Sequence, residues 1–324
     1  MTTATPAPGS PTWTRPLGST GLQVSAVCAG GSALGSMPRL YGREVSTDEG
    51  IATAKAVLQS PIRFIDTSNG YSDGESERRI GEAIAASGGL PDGFVVATKV
   101  DARGRDYSGD RVRASVAESR ERLGLDYLPL VHLHDPENFD FDEIVAPGGA
   151  VDALVGLKKS GEVGSIGLAG GPVQEMARYL ALGVFDVLLV HNRWTLLDRT
   201  AGALIAEAVY RGMGVINAAV YGGGILASQG GGPTTYGYRP APSEILAANR
   251  RDAPRMHRAR HRPHDRRLAV LSARRPALLD RRRHEPPRAR RRHGRGCLPT
   301  RSRRTLGPAR VPAATGASLA RRTV

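Results

Sequence analysis

Phe94-Val95-Val96-Ala97-Thr98-Lys99-Val100 is a near-continuous apolar run that carries a lysine close to its end. An amphipathic stretch, Asp110–Leu123, follows it, and then a second apolar run, Tyr127–His134, which closes on Leu133-His134-Asp135-Pro136. Short apolar runs without polar alternation predict strands covered on both faces, which is the habit of parallel sheets. Working outward, the same unit recurs. Further strand candidates are Val24–Ala29 and Arg63–Asp66 before this pair, and Ser165–Ala169, Asp186–His191 and Gly214–Val220 after it. Helical patterns separate them at Asp48–Leu58, Glu75–Ala86, Ala150–Lys159, Val173–Leu182 and Ala201–Arg211. Strands alternating with helices imply parallel pairing through right-handed crossovers.

Seven such units fit a (β/α)8 barrel of the TIM type better than a doubly wound sheet. A doubly wound sheet opens on G-x-G-x-x-G after its first strand, and Gly30-Gly31-Ser32-Ala33-Leu34-Gly35 lacks that spacing. Arg15 to Val24 reads as a small hairpin placed to plug the bottom of the barrel, and residues 1–12 read as disordered. The barrel-like region is expected over 13–249. The eighth β/α unit is incomplete: a helix begins at Ala241–Asn249, and beyond it only Leu268-Ala269-Val270-Leu271 could pass for a strand.

The net charge of +14 conceals two unlike regions. Residues 250–324 hold 24 Arg, no Lys and 4 acidic residues, whereas residues 1–249 carry a net −6. Basicity therefore belongs to the tail and is no argument that the body binds nucleic acid. The irregular Arg-rich tail reads best as out-of-frame translation of GC-rich DNA, because its character changes inside an expected helix, where no domain boundary belongs. A disordered nucleic-acid-binding arm and a divergent native terminus are the alternatives. The two cysteines, Cys28 and Cys297, make no disulfide framework or zinc spacing, and no metal ligands are assigned. Without a leader pattern or a long apolar run, a cytoplasmic protein is expected.

The chemistry collects at strand ends. In a barrel these share one mouth, where active sites of this fold lie. Asp66, Lys99 and His134 end or nearly end candidate strands two, three and four, and Tyr71 follows in Ile65-Asp66-Thr67-Ser68-Asn69-Gly70-Tyr71. A phenol with a reference pKa near 10 exchanges protons poorly at neutral pH, and an adjacent ammonium favours its ionised form. A carboxylate keeps that ammonium charged, and an imidazole can orient a substrate oxygen. Tyr71 is then the acid or base, Lys99 its tuner, Asp66 the anchor and His134 the orienter. No electron-pair donor is present among them, so a hydride-carrying cofactor is implied. Each residue alone has a plainer reading: an N-cap for Asp66, an edge charge for Lys99, a rim aromatic for Tyr71. His132 shares the strand face of His134 and reads as a satisfied interior histidine. Gly222-Gly223-Gly224-Ile225-Leu226 either binds pyrophosphate through its amides or is a flexible loop, and His191 and Asn192 either touch nicotinamide or are structural.

These motifs together resemble the aldo-keto reductases. The likeness rests on Ile65 to Tyr71 with Gly74-Glu75-Ser76-Glu77-Arg78-Arg79-Ile80-Gly81-Glu82-Ala83 after it, on Thr98-Lys99-Val100, on Asp126-Tyr127-Leu128 with His132-Leu133-His134-Asp135-Pro136, and on Gly161 to Gly167. It implies a (β/α)8 barrel, an NADP or NAD cofactor, the tetrad Asp66, Tyr71, Lys99 and His134, and a small carbonyl or sugar substrate. Ile166 to Pro172 and Asn217 to Gly224 further resemble the sugar-oxidising D-threo-aldose 1-dehydrogenase and pyridoxal 4-dehydrogenase branch. Departures stand where the family grips nicotinamide: Ala169-Gly170 replaces Ser-Asn, His191 replaces Gln, and the aromatic that stacks on nicotinamide from strand seven is replaced near Ala218. The expected activity is an NAD(P)-dependent oxidoreductase acting on a sugar lactol or aldehyde. The rival readings are a non-catalytic nucleotide-binding barrel and an inactive product with a basic tail.

Overall fold

Phe64, Val95, Leu130, Val187, Leu189 and Ile216 belong to one buried apolar cluster, although they come from five different strands. Only a curled sheet brings them together. In the computed structural model, residues 6–226, 234–237 and 239–258 are described. All lie in the first of two units, Met1–Leu278; the second, Leu279–Val324, falls outside the described residues.

The elements are β1 (Thr14–Pro16), β2 (Gln23–Ser25), β3 (Ala29–Gly30), α1 (Pro38–Tyr41), α2 (Thr47–Gln59), β4 (Phe64–Asp66), α3 (Glu75–Ala86), β5 (Val95–Val100) and α4 (Gly109–Leu123). There follow β6 (Leu128–His134), a 3-10 turn (Pro136–Asn138), α5 (Phe141–Val145), α6 (Ala150–Lys159), β7 (Val163–Gly170), α7 (Val173–Ala181), β8 (Val187–His191), α8 (Gly202–Tyr210), β9 (Gly214–Ala218), β10 (Thr235–Tyr236), β11 (Arg239–Pro240) and α9 (Ser243–Arg258). Strands β3 to β9 form one seven-stranded parallel sheet in sequence order. With helices between the strands this is a (β/α)8 barrel lacking its last strand among the described residues. β3 and β9 are the edges of that sheet, the exposed kind of element that closure of a barrel removes. The candidate eighth strand, Leu268–Leu271, and tail residues 259–324 lie outside the described residues.

Alternation along each strand separates two cores. Val95, Ala97, Leu130, Ala169, Val187 and Leu189 face inward, while Ile65, Val96, Val131, Leu133, Ile166, Leu168 and Leu188 face Leu58, Ile80, Val112, Leu154 and Leu204 on the helices. Helix starts are fixed locally. Ser46 accepts from the Glu49 amide and Ser108 from the Arg111 amide, so each caps its helix, a contribution of about 1 kcal/mol.

The hairpin is present, with Thr14–Pro16 antiparallel to Gln23–Ser25, and its Leu17 inserts into the inner cluster. Three details differ from the sequence reading. The run Val24–Ala29 is shared between the hairpin's second strand and a two-residue β3, because Ser25 turns its hydroxyl to the Val27 carbonyl and accepts from the Arg63 amide. Residues 6–12, expected to be disordered, run as turns in which Ser10 Oγ accepts from the Ala7 amide. Helix α9 continues across Asn249, where the boundary was expected, as far as Arg258.

Candidate active site

Inward parity carries the polar groups to the mouth. Asp66 ends β4, Lys99 lies one residue from the end of β5, and His134 ends β6. Lys99 is 1% exposed, yet all three of its ammonium donors are used. They reach Asp66 Oδ1 at 2.6 Å, the Thr67 carbonyl at 2.6 Å and Tyr71 Oη at 3.2 Å. Burial alone would lower the lysine's pKa; Asp66 and then Tyr71 outweigh it, and the ammonium is held charged, above its ordinary value. The Tyr71 ring meets His134 edge-on, with centroids 5.6 Å apart. The structure thus brings together all four sequence-predicted catalytic residues.

A fifth group emerges that the sequence reading passed over. Asp101 Oδ1 lies 2.6 Å from His134 Nδ1, and its other oxygen accepts from the Gly70 amide at 2.7 Å and from Ser68 Oγ. Burial would raise the Asp101 pKa, but the His134 charge and these hydrogen bonds bring it down to about 2. Burial would likewise lower His134, and Asp101 outweighs that to raise it above the ordinary imidazole range. With Nδ1 committed to Asp101, Nε2 carries a proton only on the charged ring, the form that the raised pKa favours.

The signal for Asp101 was available: it stands one residue past β5 and two past Lys99, so the strand's alternation continued by one step turns it inward. Replacing Asp101 by Asn should lower the His134 pKa. Any step that uses the protonated ring declines as pH rises through that pKa. The declining limb of its rate–pH profile should therefore move to lower pH in the variant. An unmoved limb would contradict the pairing.

The loop bearing Tyr71 is tied down from α4. Asn69 Nδ2 donates to the Ser115 carbonyl at 3.2 Å and to Glu118 Oε2 at 3.1 Å, and Arg122 donates to the Asn69 carbonyl and to buried Glu77. A Cβ on Gly70 would sit 2.9 Å from the Asp101 carboxyl carbon. Gly70→Ala should displace that carboxylate and cost about 10²-fold in turnover, the usual penalty for misplacing a catalytic group by an ångström. Its melting temperature should change little; a global loss of folding would assign Gly70 to stability instead.

A match to the model of the aldo/keto reductase family spans residues 26–272. The chain belongs to the aldo/keto reductase family. It is 36% identical over 241 residues to the L-galactose dehydrogenase of Arabidopsis thaliana, covering 73% of this chain and 72% of that protein. It is 30% identical over 253 residues to the D-threo-aldose 1-dehydrogenase of a Pseudomonas species, covering 69% and 74%. The glycerol dehydrogenase of Gluconobacter oxydans shares the fold with a TM-score of 0.61 at 21% identity, over 82% of this chain and 84% of that one. Membership makes this aldo/keto reductase an oxidoreductase that uses a nicotinamide cofactor. No helix among the described residues is long and apolar enough to cross a membrane.

The strand ends of this aldo/keto reductase carry polar groups of the kind a nicotinamide group needs. Asp66 Oδ2, Glu137 Oε2 and Asn192 Oδ1 are buried acceptors with no hydrogen-bond partner. A Cβ on Gly170 would collide with Met176 Sδ and Glu137 Oε2, and one on Gly171 would fall 2.7 Å from His191 Cε1, so the close packing here needs glycine at both positions. His191 ends β8 at this mouth, and Asn192 Nδ2 lies 3.1 Å from its Nδ1. Asp135, Glu137 and His191 place ligand atoms within 4.8 Å of one another, a grouping that the sequence reading, which named no metal ligands, did not anticipate.

The glycine loop is less open than its composition suggests. Gly222, Gly223 and Gly224 all have positive φ, but the Gly222, Gly224 and Leu226 amides donate within the loop, and the Leu226 side chain is buried with Ile225 and Tyr236. His132 is interior, but it is not the satisfied histidine that its position suggested. Neither of its ring nitrogens has a hydrogen-bond partner, and the ring packs over Gly167 of the neighbouring strand.

Proposed function

We propose that this aldo/keto reductase is an NAD(P)-dependent dehydrogenase that interconverts a sugar lactol or aldehyde with its lactone or alcohol. The single observation that carries the reading is Lys99 Nζ held between Asp66 Oδ1 at 2.6 Å and Tyr71 Oη at 3.2 Å beside His134. Bound nicotinamide supplies the hydride acceptor or donor at its C4. In oxidation, Tyr71 as phenolate takes the substrate's hydroxyl proton while the C–H electron pair leaves the same carbon. In reduction, Tyr71 returns that proton to the carbonyl oxygen, which His134 Nε2 holds in place. Lys99 stabilises the ionised phenol and Asp66 keeps Lys99 charged.

His191 and Asn192 are the proposed contacts to nicotinamide, and the loop of Gly222, Gly223, Gly224 and Leu226 the proposed contact to the nucleotide's phosphates, through the Gly223 amide, since the other three amides donate within the loop. The sugar assignment is supported by the names of the two relatives, L-galactose dehydrogenase and D-threo-aldose 1-dehydrogenase. The test is a coenzyme titration followed by nicotinamide absorbance with a panel of aldoses, each offered with NAD and with NADP. Coenzyme reduction that requires an aldose bears the proposal out. Coenzyme binding without turnover on any aldose or simple alcohol would favour a non-catalytic nucleotide-binding barrel.

A further inference from the structure

Tyr107 lies between β5 and α4, immediately before Ser108, the residue that caps α4. Its side chain turns back toward the strand ends and is 5% exposed. The hydroxyl donates to the Val100 carbonyl at 2.7 Å, accepts from the His134 amide at 2.9 Å and lies 3.0 Å from the His134 carbonyl. These partners have a defined place in the sheet. In β5 the odd positions bond toward β4: the Val95 amide donates to Arg63, and the Ala97 and Lys99 carbonyls accept from Thr67 and Asn69. Even positions therefore face β6. With Val100 paired to Leu133, the Val100 carbonyl and the His134 amide are the two groups of the last rung of that ladder. The phenol binds both.

The loop that supplies Tyr107 also supplies Asp101. It is closed on itself by reciprocal backbone bonds between Arg103 and Asp106, at 2.9 and 3.1 Å, and Asp106 Oδ1 accepts from the Ser108 amide. One short loop thus grips His134 twice: Asp101 Oδ1 stands 2.6 Å from the ring's Nδ1, and Tyr107 holds the backbone amide. A bond at Nδ1 alone fixes one atom of the ring. Holding the backbone as well sets where the opposite nitrogen stands relative to Tyr71. Burial and then the Asp101 charge keep the Tyr107 phenol above its ordinary pKa, so its proton stays available to Val100. The Tyr107 ring meets Phe139 edge-on with centroids 5.0 Å apart, a contact that does not involve the hydroxyl.

We propose that Tyr107 is a positioning residue for His134: by bonding the Val100 carbonyl and the His134 amide at once, its hydroxyl holds the imidazole in place against Asp101 and Tyr71. For its consequence in turnover the inference rests on the proposed dehydrogenase activity; for its effect on the ring it rests on these hydrogen bonds alone.

The experiment compares the full wild-type chain with Tyr107→Phe, which keeps the ring and its contact with Phe139. With histidine labelled with nitrogen-15, NMR follows the Nδ1 proton that His134 shares with Asp101, identified by its loss in His134→Asn. Tyr107→Phe removes no charged group, so a change in that signal reports movement of the ring against Asp101. In the variant the proton should shift upfield and exchange with water at least about tenfold faster, the equivalent of one lost hydrogen bond. On the same protein kcat should fall about tenfold, short of the roughly 10²-fold cost of a full ångström's displacement, with coenzyme affinity held within about twofold. Tyr179→Phe is the control: it deletes another buried phenol bond, 3.3 Å to the Pro136 carbonyl, without touching Val100 or His134. It should leave both the Nδ1 proton and kcat unchanged.

An unmoved Nδ1 signal, or kcat at the wild-type level, would overturn the inference and leave the dehydrogenase reading standing. So would an equal change in Tyr179→Phe, which would make the effect a general loosening, or a Tyr107→Phe chain that no longer folds, which would assign the phenol to stability. If the wild-type chain turns over no aldose with either coenzyme, the dehydrogenase reading falls, and the Nδ1 signal alone decides whether Tyr107 holds the ring.

Discussion

Tyr71→Phe is expected to lower kcat by about 10³-fold, within the 10²–10⁴ range that a positioned acid or base supplies. Coenzyme affinity should stay within about twofold, since the substitution removes one oxygen and leaves the ring. The edge-on contact with His134 at 5.6 Å is a property of that ring and survives. Lys99 loses one of three acceptors but keeps Asp66 and the Thr67 carbonyl, so the melting temperature should move by only a few degrees. Steady-state kinetics on an aldose, with coenzyme titration on the same protein, make the comparison. Turnover near the wild-type rate would show that a different group moves the proton.

Lys99→Met should cost both activity and stability, and the two losses can be separated. Activity falls because the phenolate loses the charge that favours it. Stability falls because Asp66, 13% exposed, is left beside an apolar side chain in place of an ammonium that is itself 1% exposed. Breaking a buried pair by removing one partner costs about 3–5 kcal/mol, and the partial exposure of Asp66 argues for the lower end. For a domain of this size that is a fall of roughly 10 °C in melting temperature. Adding Asp66→Asn should recover part of the lost stability and none of the activity, because the uncompensated charge is then gone while the phenol stays untuned. Full recovery of turnover in the double variant would refute the tuning role.

The fold was legible because parallel strands announce themselves as unbroken apolar runs. The boundaries of β5 and β6 come within a residue of the runs Phe94–Val100 and Tyr127–His134. The first barrel strand was not legible in the same way. Only Ala29 and Gly30 pair with β4, too few residues for a periodicity to show against the neighbouring hairpin strand.

At the site, Asp66, Tyr71, Lys99 and His134 were found because each ends or follows a strand and each has an evident chemical use. Asp101 was missed although its parity with Lys99 places it inward, because one step beyond an apolar run it looks like an ordinary turn residue. Asp135 and Glu137 were harder still. Their partner His191 lies more than fifty positions away, and only the parallel register of β6, β7 and β8 brings it near. The burial of His132 followed from its position on β6, but its lack of partners depends on the neighbouring strand, where the paired Gly167 offers no side chain and the ring lies over it.

The most direct test of the account is isotopic. An aldose carrying deuterium at C1 is offered with oxidised coenzyme to the wild-type chain and to Tyr71→Phe, and a single turnover is followed by mass spectrometry of the nicotinamide. One deuterium per coenzyme in the wild-type chain, and transfer about 10³-fold slower in the Tyr71→Phe protein with its coenzyme still bound, is the expected result. Deuterium transferred at an undiminished rate without the Tyr71 hydroxyl, or no transfer by the wild-type chain at all, would contradict the claim that these four residues gather to exchange a proton as hydride moves.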